Sequence, residues 1–222
     1  MSIVELKGIS RIYGEGDTEV RALDNIDLTI NSGEIVALLG PSGSGKTTLL
    51  NIIAALDTPT AGEYSFIGND VELGNVGKMT DFRKKNIGYI FQFFNLVGDL
   101  TALENTMLVQ DLSGKRDKKY ALELLERVGL KGLEDRFPSQ MSGGQRQRVA
   151  IARALSSRPK MMLGDELTGN LDSETSIQVM KTLIEICRKE GMTVLFVTHD
   201  RSLTKYATRV LQLESGKIIS DE

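Results

Sequence analysis

The run EIVALLGPSGSGKTTLL, residues 34–50, limits what this chain can fold into more than any other stretch. It opens as a short apolar segment ending in glycine, the pattern of a buried strand. It closes with apolar residues at helical spacing. Between the two, Gly40, Pro41, Ser42, Gly43, Ser44, Gly45, Lys46 and Thr47 fit G-x-x-x-x-G-K-[S/T]. Glycines at these spacings let backbone N–H groups curl around phosphate oxygens, and the helix start adds a favourable dipole. Lys46 suits the β- and γ-phosphates, and the Thr47 hydroxyl suits Mg2+. With Thr48, these residues form a candidate nucleotide phosphate site.

Two further short apolar runs, KMMLGDE and TVLFVTHD, also end in polar residues. Helical patterns precede them, GQRQRVAIARALSS and ETSIQVMKTLIEICRKE. Buried strands alternating with helices predict an α/β fold with a mostly parallel sheet flanked by helices. The early segments IVELKGISRIY and ALDNIDLTI alternate more regularly and predict an antiparallel β subdomain. Residues 101–133 are polar and helix-favouring, so an inserted α-helical subdomain is expected there, with the charge run 115–119 as its solvated face. RVLQLESGKIISDE reads as a closing hairpin. The chain is expected to form one domain over 1–222. Its catalytic core and β subdomain would span about 1–90 and 156–222, and its helical subdomain about 91–155.

At the end of MMLGDE, Asp165 supplies a carboxylate for the Mg2+ shell. Glu166, one residue on, is placed to polarise an attacking water. A third constellation is SQMSGGQRQRVAIARAL, residues 139–155, in which two glycines precede a helical pattern. Glycine disfavours a helix, so a pair just before one implies that the backbone itself is wanted there. A second helix tip able to receive an anion is superfluous in a monomer with one phosphate loop. Ser142, Gly143 and Gly144 are therefore expected to meet the γ-phosphate of a nucleotide held by another copy.

The bulk properties narrow the function. The chain has 222 residues, 27 basic and 30 acidic, for a net charge of −3. A strongly basic nucleic-acid face is not expected, so no nucleic-acid partner is assigned. Its one cysteine, Cys187, excludes an intrachain disulfide and reads as a small buried hydrophobe. No run approaches the roughly 18–20 apolar residues of a membrane span, and the first residues lack a signal-peptide pattern. Any membrane spans would come from another polypeptide.

Taken together, GPSGSGKTTLLN, MSGGQRQRVAIARAL, GDELTGNLD and VTHD, in this order, resemble the ATP-binding subunits of ABC transporters over essentially the whole chain. The resemblance implies a P-loop NTPase core, ATP and Mg2+ as ligands, and a head-to-tail homodimer around two ATP. It implies that Tyr13 stacks on adenine, and that Gln92 in YIFQFFNL touches Mg2+ or the attacking water while facing a membrane permease. Ser142, Gly143, Gly144 and Gln145 would form the signature sequence acting in trans. Asp172 would lie in the loop crossing to the second copy, and His199 would contact the γ-phosphate. Phe93, Phe94 or Leu96 would line the permease groove. Three positions depart from the usual family pattern: Met141 for leucine, Gly164 for alanine and Leu167 for proline. The last frees φ at the turn after Glu166.

The segments GEGDTEVRALDNIDL, LLNIIAALDTPTAGEY and GNLDSE further resemble the branch that serves macrolide export and lipoprotein release. The expected location is the cytoplasmic face of a membrane, through the permease. The expected work is export or extraction of a hydrophobic substrate, peptide or lipoprotein. The alternative is an ATPase in a non-transporting membrane complex that regulates cell division or cell-wall hydrolysis. Chromosome-acting relatives carry long coiled coils between the two halves, whereas about a hundred residues separate Lys46 from Ser142 here, without sustained heptads.

Overall fold

A computed structural model describes all 222 residues, Met1–Glu222. In chain order the elements are β1 (Ser2–Tyr13), β2 (Val20–Asn31), β3 (Ile35–Leu39), α1 (Lys46–Ile53), β4 (Ala61–Phe66), β5 (Asn69–Asp70), α2 (Val76–Asn86) and β6 (Ile87–Ile90). They continue with α3 (Ala102–Ser113), α4 (Lys118–Arg127), α5 (Gly143–Leu155), β7 (Met161–Asp165), α6 (Ser173–Lys189), β8 (Thr193–Val197), β9 (Arg209–Glu214) and β10 (Lys217–Asp221). Packing divides the chain into two compact units, one of Met1–Arg83 with Thr193–Glu222, the other of Lys84–Met192.

In the first unit, β1 pairs antiparallel with both β2 and β4, as the alternating early segments predict. Ile26, Leu28 and Ile30 of β2 point inward while the residues between them face out, the period of a sheet buried on one face. β3 behaves differently. Its IVALL sequence pairs parallel with β8 on one side and β9 on the other, and alternation disappears because both faces are covered. β9 and β10 form the expected hairpin. Ser215 and Gly216 both take positive φ at its turn, the geometry that matches the twist of paired strands.

In the second unit, β6 and β7 pair parallel, and α3, α4, α5 and α6 supply the helices. α3 starts from a reciprocal cap, in which Thr101 accepts from the Glu104 N–H and the Glu104 carboxylate accepts from the Thr101 N–H. Within the 115–119 charge run, Asp117 caps α4 through the Tyr120 N–H and pairs with Arg158 at 3.1 Å; its charged neighbours are exposed. The stretch between α1 and Gln92, for which the sequence patterns make no assignment, folds as β4, β5, α2 and β6. No helix is long and apolar enough to cross a membrane.

Val179, Met180, Leu183, Ile184 and Cys187 share the buried face of α6 at helical spacing. Burial, reinforced by the charge of Glu190, pushes the Cys187 thiol up to about 12. At pH 8 the group is therefore a neutral thiol shielded from solvent. Ellman's reagent is expected to leave the native chain unlabelled and to titrate one thiol in denaturant. Rapid labelling of the native chain would contradict the packing of α6.

Candidate functional site

The phosphate loop leaves the end of β3 and enters α1. Two of its glycines are there because backbone atoms come too close for any side chain. A Cβ on Gly40 would lie 2.1 Å from the Leu213 carbonyl oxygen, and one on Gly45 would lie 2.2 Å from that of Ala22. Gly45 also holds φ at +103°, which L side chains rarely adopt. The loop is thus wedged against the backbones of β2 and β9. Lys46 is buried, and its ammonium folds back to donate to the carbonyls of Gly40 (2.9 Å) and Pro41 (2.7 Å). Pro41, Ser42, Gly43 and Thr47 are exposed. The Ser44 hydroxyl is buried without a protein partner, an orphan polar atom inside the loop. Such an atom fits a site completed by an anion.

Tyr13 ends β1 with its ring 39% exposed. Its hydroxyl donates to Asp57 at 2.6 Å, and the Arg11 guanidinium lies 4.4 Å from the ring centroid. Arg11 in turn grips both carboxylate oxygens of Asp57, at 3.0 and 2.8 Å. The aromatic ring is therefore fixed at its tip and covered by a cation. His199 lies two residues past the end of β8 and is exposed. The next residue, Asp200, starts a short helical turn by accepting from the Ser202 N–H at 2.8 Å. Hydrogen bonds from Ser202, from its side chain first and its N–H second, hold the Asp200 carboxyl below the usual range.

In the second unit, β7 ends at Asp165 beside Tyr89 of β6, whose phenol is pushed up by burial and by the Asp165 charge. Glu166 has φ +42°, a left-handed conformation that costs about 1–3 kcal/mol for a residue with a side chain. Two features hold it. The Gly169 N–H donates to the Glu166 carbonyl at 2.8 Å, closing a turn, and Leu167 is buried. Burying a leucine side chain contributes about 1.5–3 kcal/mol, comparable to the strain. The turn thus survives without proline, through an apolar anchor. The Gln92 amide donates to the Glu166 carboxylate at 3.3 Å, and the Asn170 amide donates to the Gln92 carbonyl at 2.9 Å.

SGGQ contains a device that a reading centred on its glycines passes over. Ser142 and Gln145 form a capping box: the Gln145 N–H donates to the Ser142 hydroxyl, and the Ser142 N–H donates to the Gln145 side chain. Gly144 serves close packing, since a Cβ there would lie 2.4 Å from Thr175 of α6. Met141 is buried, filling the place usually held by leucine. Asp172 caps α6, and hydrogen bonds from Thr175 hold its carboxyl below the usual range.

The structure thus brings Gln92 and Glu166 into contact within the second unit. In the first it places the phosphate loop, Tyr13 and His199 at strand ends. Sequence reading missed Arg11, Asp57 and Asn170. The S-x-x-Q spacing was readable as a cap; nothing in the sequence ties Asp57 to Tyr13 across 44 positions.

The ABC transporter family matches residues 23–169 of the chain. An uncharacterised ABC transporter ATP-binding protein of Methanocaldococcus jannaschii is 47% identical over 221 residues, covering 98% of each chain. The lipoprotein-releasing system ATP-binding protein LolD of Geobacter metallireducens is 43% identical, with 99% of each covered. The macrolide export ATP-binding/permease protein MacB of Mannheimia succiniciproducens is 42% identical over 100% of this chain, which spans 35% of that longer protein. A solved dimeric ATP-binding cassette, in a post-hydrolysis state with ADP and Pi, matches with a TM-score of 0.90 at 40% identity, covering 99% of this chain and 98% of that one. The chain belongs to the ABC transporter family, as an ATP-binding and ATP-hydrolysing subunit.

Proposed function

We propose that the whole chain, 1–222, works as one ATPase domain that closes head to tail on a second copy around two ATP and so drives a membrane permease. The observation that carries this reading is a hydrogen-bonded Gln92–Glu166 pair in the same chain as a complete phosphate loop. Loop amides, the buried Ser44 hydroxyl and Lys46 bind the phosphates, with Lys46 exchanging its carbonyl partners for phosphate oxygens. Tyr13 stacks on adenine, its ring held in place by Asp57. Glu166 polarises the attacking water, Gln92 orients it, and His199 donates to the γ-phosphate. The residue types suit Mg2+, which takes few protein ligands and keeps phosphate oxygens and waters: the Thr47 hydroxyl, the Asp165 carboxylate and the Gln92 amide oxygen would hold it. When bound, the ion neutralises charge on the phosphates.

The signature serves the partner's nucleotide. Its cap uses the N–H groups of Ser142 and Gln145, leaving those of Gly143 and Gly144 outside it. The Ser142 hydroxyl accepts within the cap, so its proton remains to donate to a phosphate oxygen. Ser142 is exposed, as a group reaching another chain must be. Asp172 places the crossing loop. ATP favours the closed pair because only that state offers these contacts, which is what a ligand needs to shift a conformational equilibrium. The kinship with MacB and LolD supports a permease partner, a position on the cytoplasmic face of the membrane, and export or extraction of a hydrophobic substrate, peptide or lipoprotein. Phe93, 71% exposed beside Gln92, is the apolar contact best offered to that permease. The Phe94 ring instead lies 5.2 Å from the Arg146 guanidinium of its own chain.

Glu166→Gln is expected to lower kcat for ATP by about 10²–10⁴ while ATP still binds, as read by steady-state kinetics and titration calorimetry. Turnover within about twofold of wild type would remove Glu166 from the mechanism. Asp57→Ala is expected to weaken ADP binding by about three- to tenfold, a loosened ring losing part of a stacking interaction worth about 1–3 kcal/mol. Unchanged affinity would show that Tyr13 needs no anchor.

A further inference from the structure

The loop after Gln92 holds two consecutive residues in the left-handed region, Phe94 at φ +60° and Asn95 at φ +49°. The Asn95 N–H donates to the Phe93 carbonyl at 2.6 Å, across Phe94. A bond spanning two residues around a positive φ is the rarer, strained hand of γ-turn. Such backbone persists only where its surroundings impose it.

Arg153 of α5 is the group that imposes it. Its side chain is buried, the residue being 8% exposed, and its guanidinium donates to the Phe94 carbonyl at 2.8 Å and the Asn95 carbonyl at 2.5 Å. Burial alone pushes its pKa below the ordinary guanidinium value, so carbonyl dipoles rather than a carboxylate offset the charge. A buried cation is costly unless hydrogen-bonded, and here its bonds go to the two strained peptides. About two helix turns earlier, Arg146 lies over the Phe94 ring, and Gly143 of the signature sits beside it, a Cβ there falling 4.0 Å from Cζ and 3.2 Å from Leu171. At the other end of the loop, Asn170 fixes the Gln92 carbonyl and Gln92 meets Glu166.

We propose that Arg153 is a positioning residue for hydrolysis: by clamping the left-handed Phe94–Asn95 turn onto the signature helix, it holds Gln92 against Glu166. This rests on the roles proposed above for Gln92 and Glu166. The clamp also ties the loop facing the permease to the helix whose tip faces the partner's nucleotide, so displacing one strains the other.

The test uses the full chain and its steady-state ATP hydrolysis. Arg153→Lys keeps the charge but loses the two-carbonyl fork; it is expected to lower kcat about tenfold or more, with KM for ATP within about twofold. Asn95→Gly, which relieves positive φ, is expected to leave the wild-type rate within about twofold and to recover several-fold of the rate lost in Arg153→Lys. An unchanged kcat in Arg153→Lys, or a loss that Asn95→Gly does not rescue, overturns the clamp. Should Arg153→Lys fail to fold, Asn95→Val decides, because a β-branched residue opposes the left-handed turn while Arg153 stays in place. It is expected to lower kcat at constant KM, and an unchanged kcat overturns the proposal. Failure of the underlying roles is read separately, as Glu166→Gln retaining turnover while Arg153→Lys still loses it.

Discussion

A strand covered on both faces has no water for its backbone, so polar chemistry can begin only where the strand stops. That constraint organises this chain. The phosphate loop starts at the end of β3, Gln92 lies just past β6, Asp165 and Glu166 end β7, and His199 follows β8. Each strand is four or five residues long and almost wholly apolar, and a candidate site residue lies within two residues of each strand's end. The sheet strands act as rigid stalks, and the loops they carry inherit that rigidity.

Several of those residues do two jobs, which explains how a mobile machine keeps its parts in place. Ser142 and Gln145 cap α5, and Asp172 caps α6. Lys46 holds its own loop closed through two carbonyls. In each case a structural hydrogen bond organises the element in the resting chain, and a ligand or partner can take over or extend it. Glu166 and Phe94–Asn95 are three of the eight non-glycine residues with positive φ, and there turns and buried groups hold backbones that would otherwise relax.

The parts legible in the sequence were those encoded locally. The phosphate loop, the apolar strands, the final hairpin and the amphipathic helices all follow from patterns a few residues long. The function class followed from four motifs in order. What stayed hidden depends on contacts between distant segments. Asp57 anchors Tyr13, Asn170 reaches back to Gln92, and Arg153 grips a loop 58 residues earlier, and none of these pairings leaves a local pattern. The strands and helix between α1 and Gln92 were also silent. β4 and α2 are only partly buried, and α2 carries a single buried residue, Met79, so no periodic apolar signal marks it. The two glycines of SGGQ were noticed as a sign that the backbone is needed there. Within this chain Gly144 makes room for Thr175.

The account turns on each catalytic pocket being shared between two copies, each lending its signature helix to the nucleotide of the other. Sedimentation velocity on a hydrolysis-blocked chain, Glu166→Gln, reads this directly. With ATP it is expected to sediment as a dimer, with ADP as a monomer, and with ATP plus Ser142→Arg as a monomer again. An ATP-bound monomer under saturating nucleotide, or a dimer indifferent to both ATP and Ser142, would contradict it.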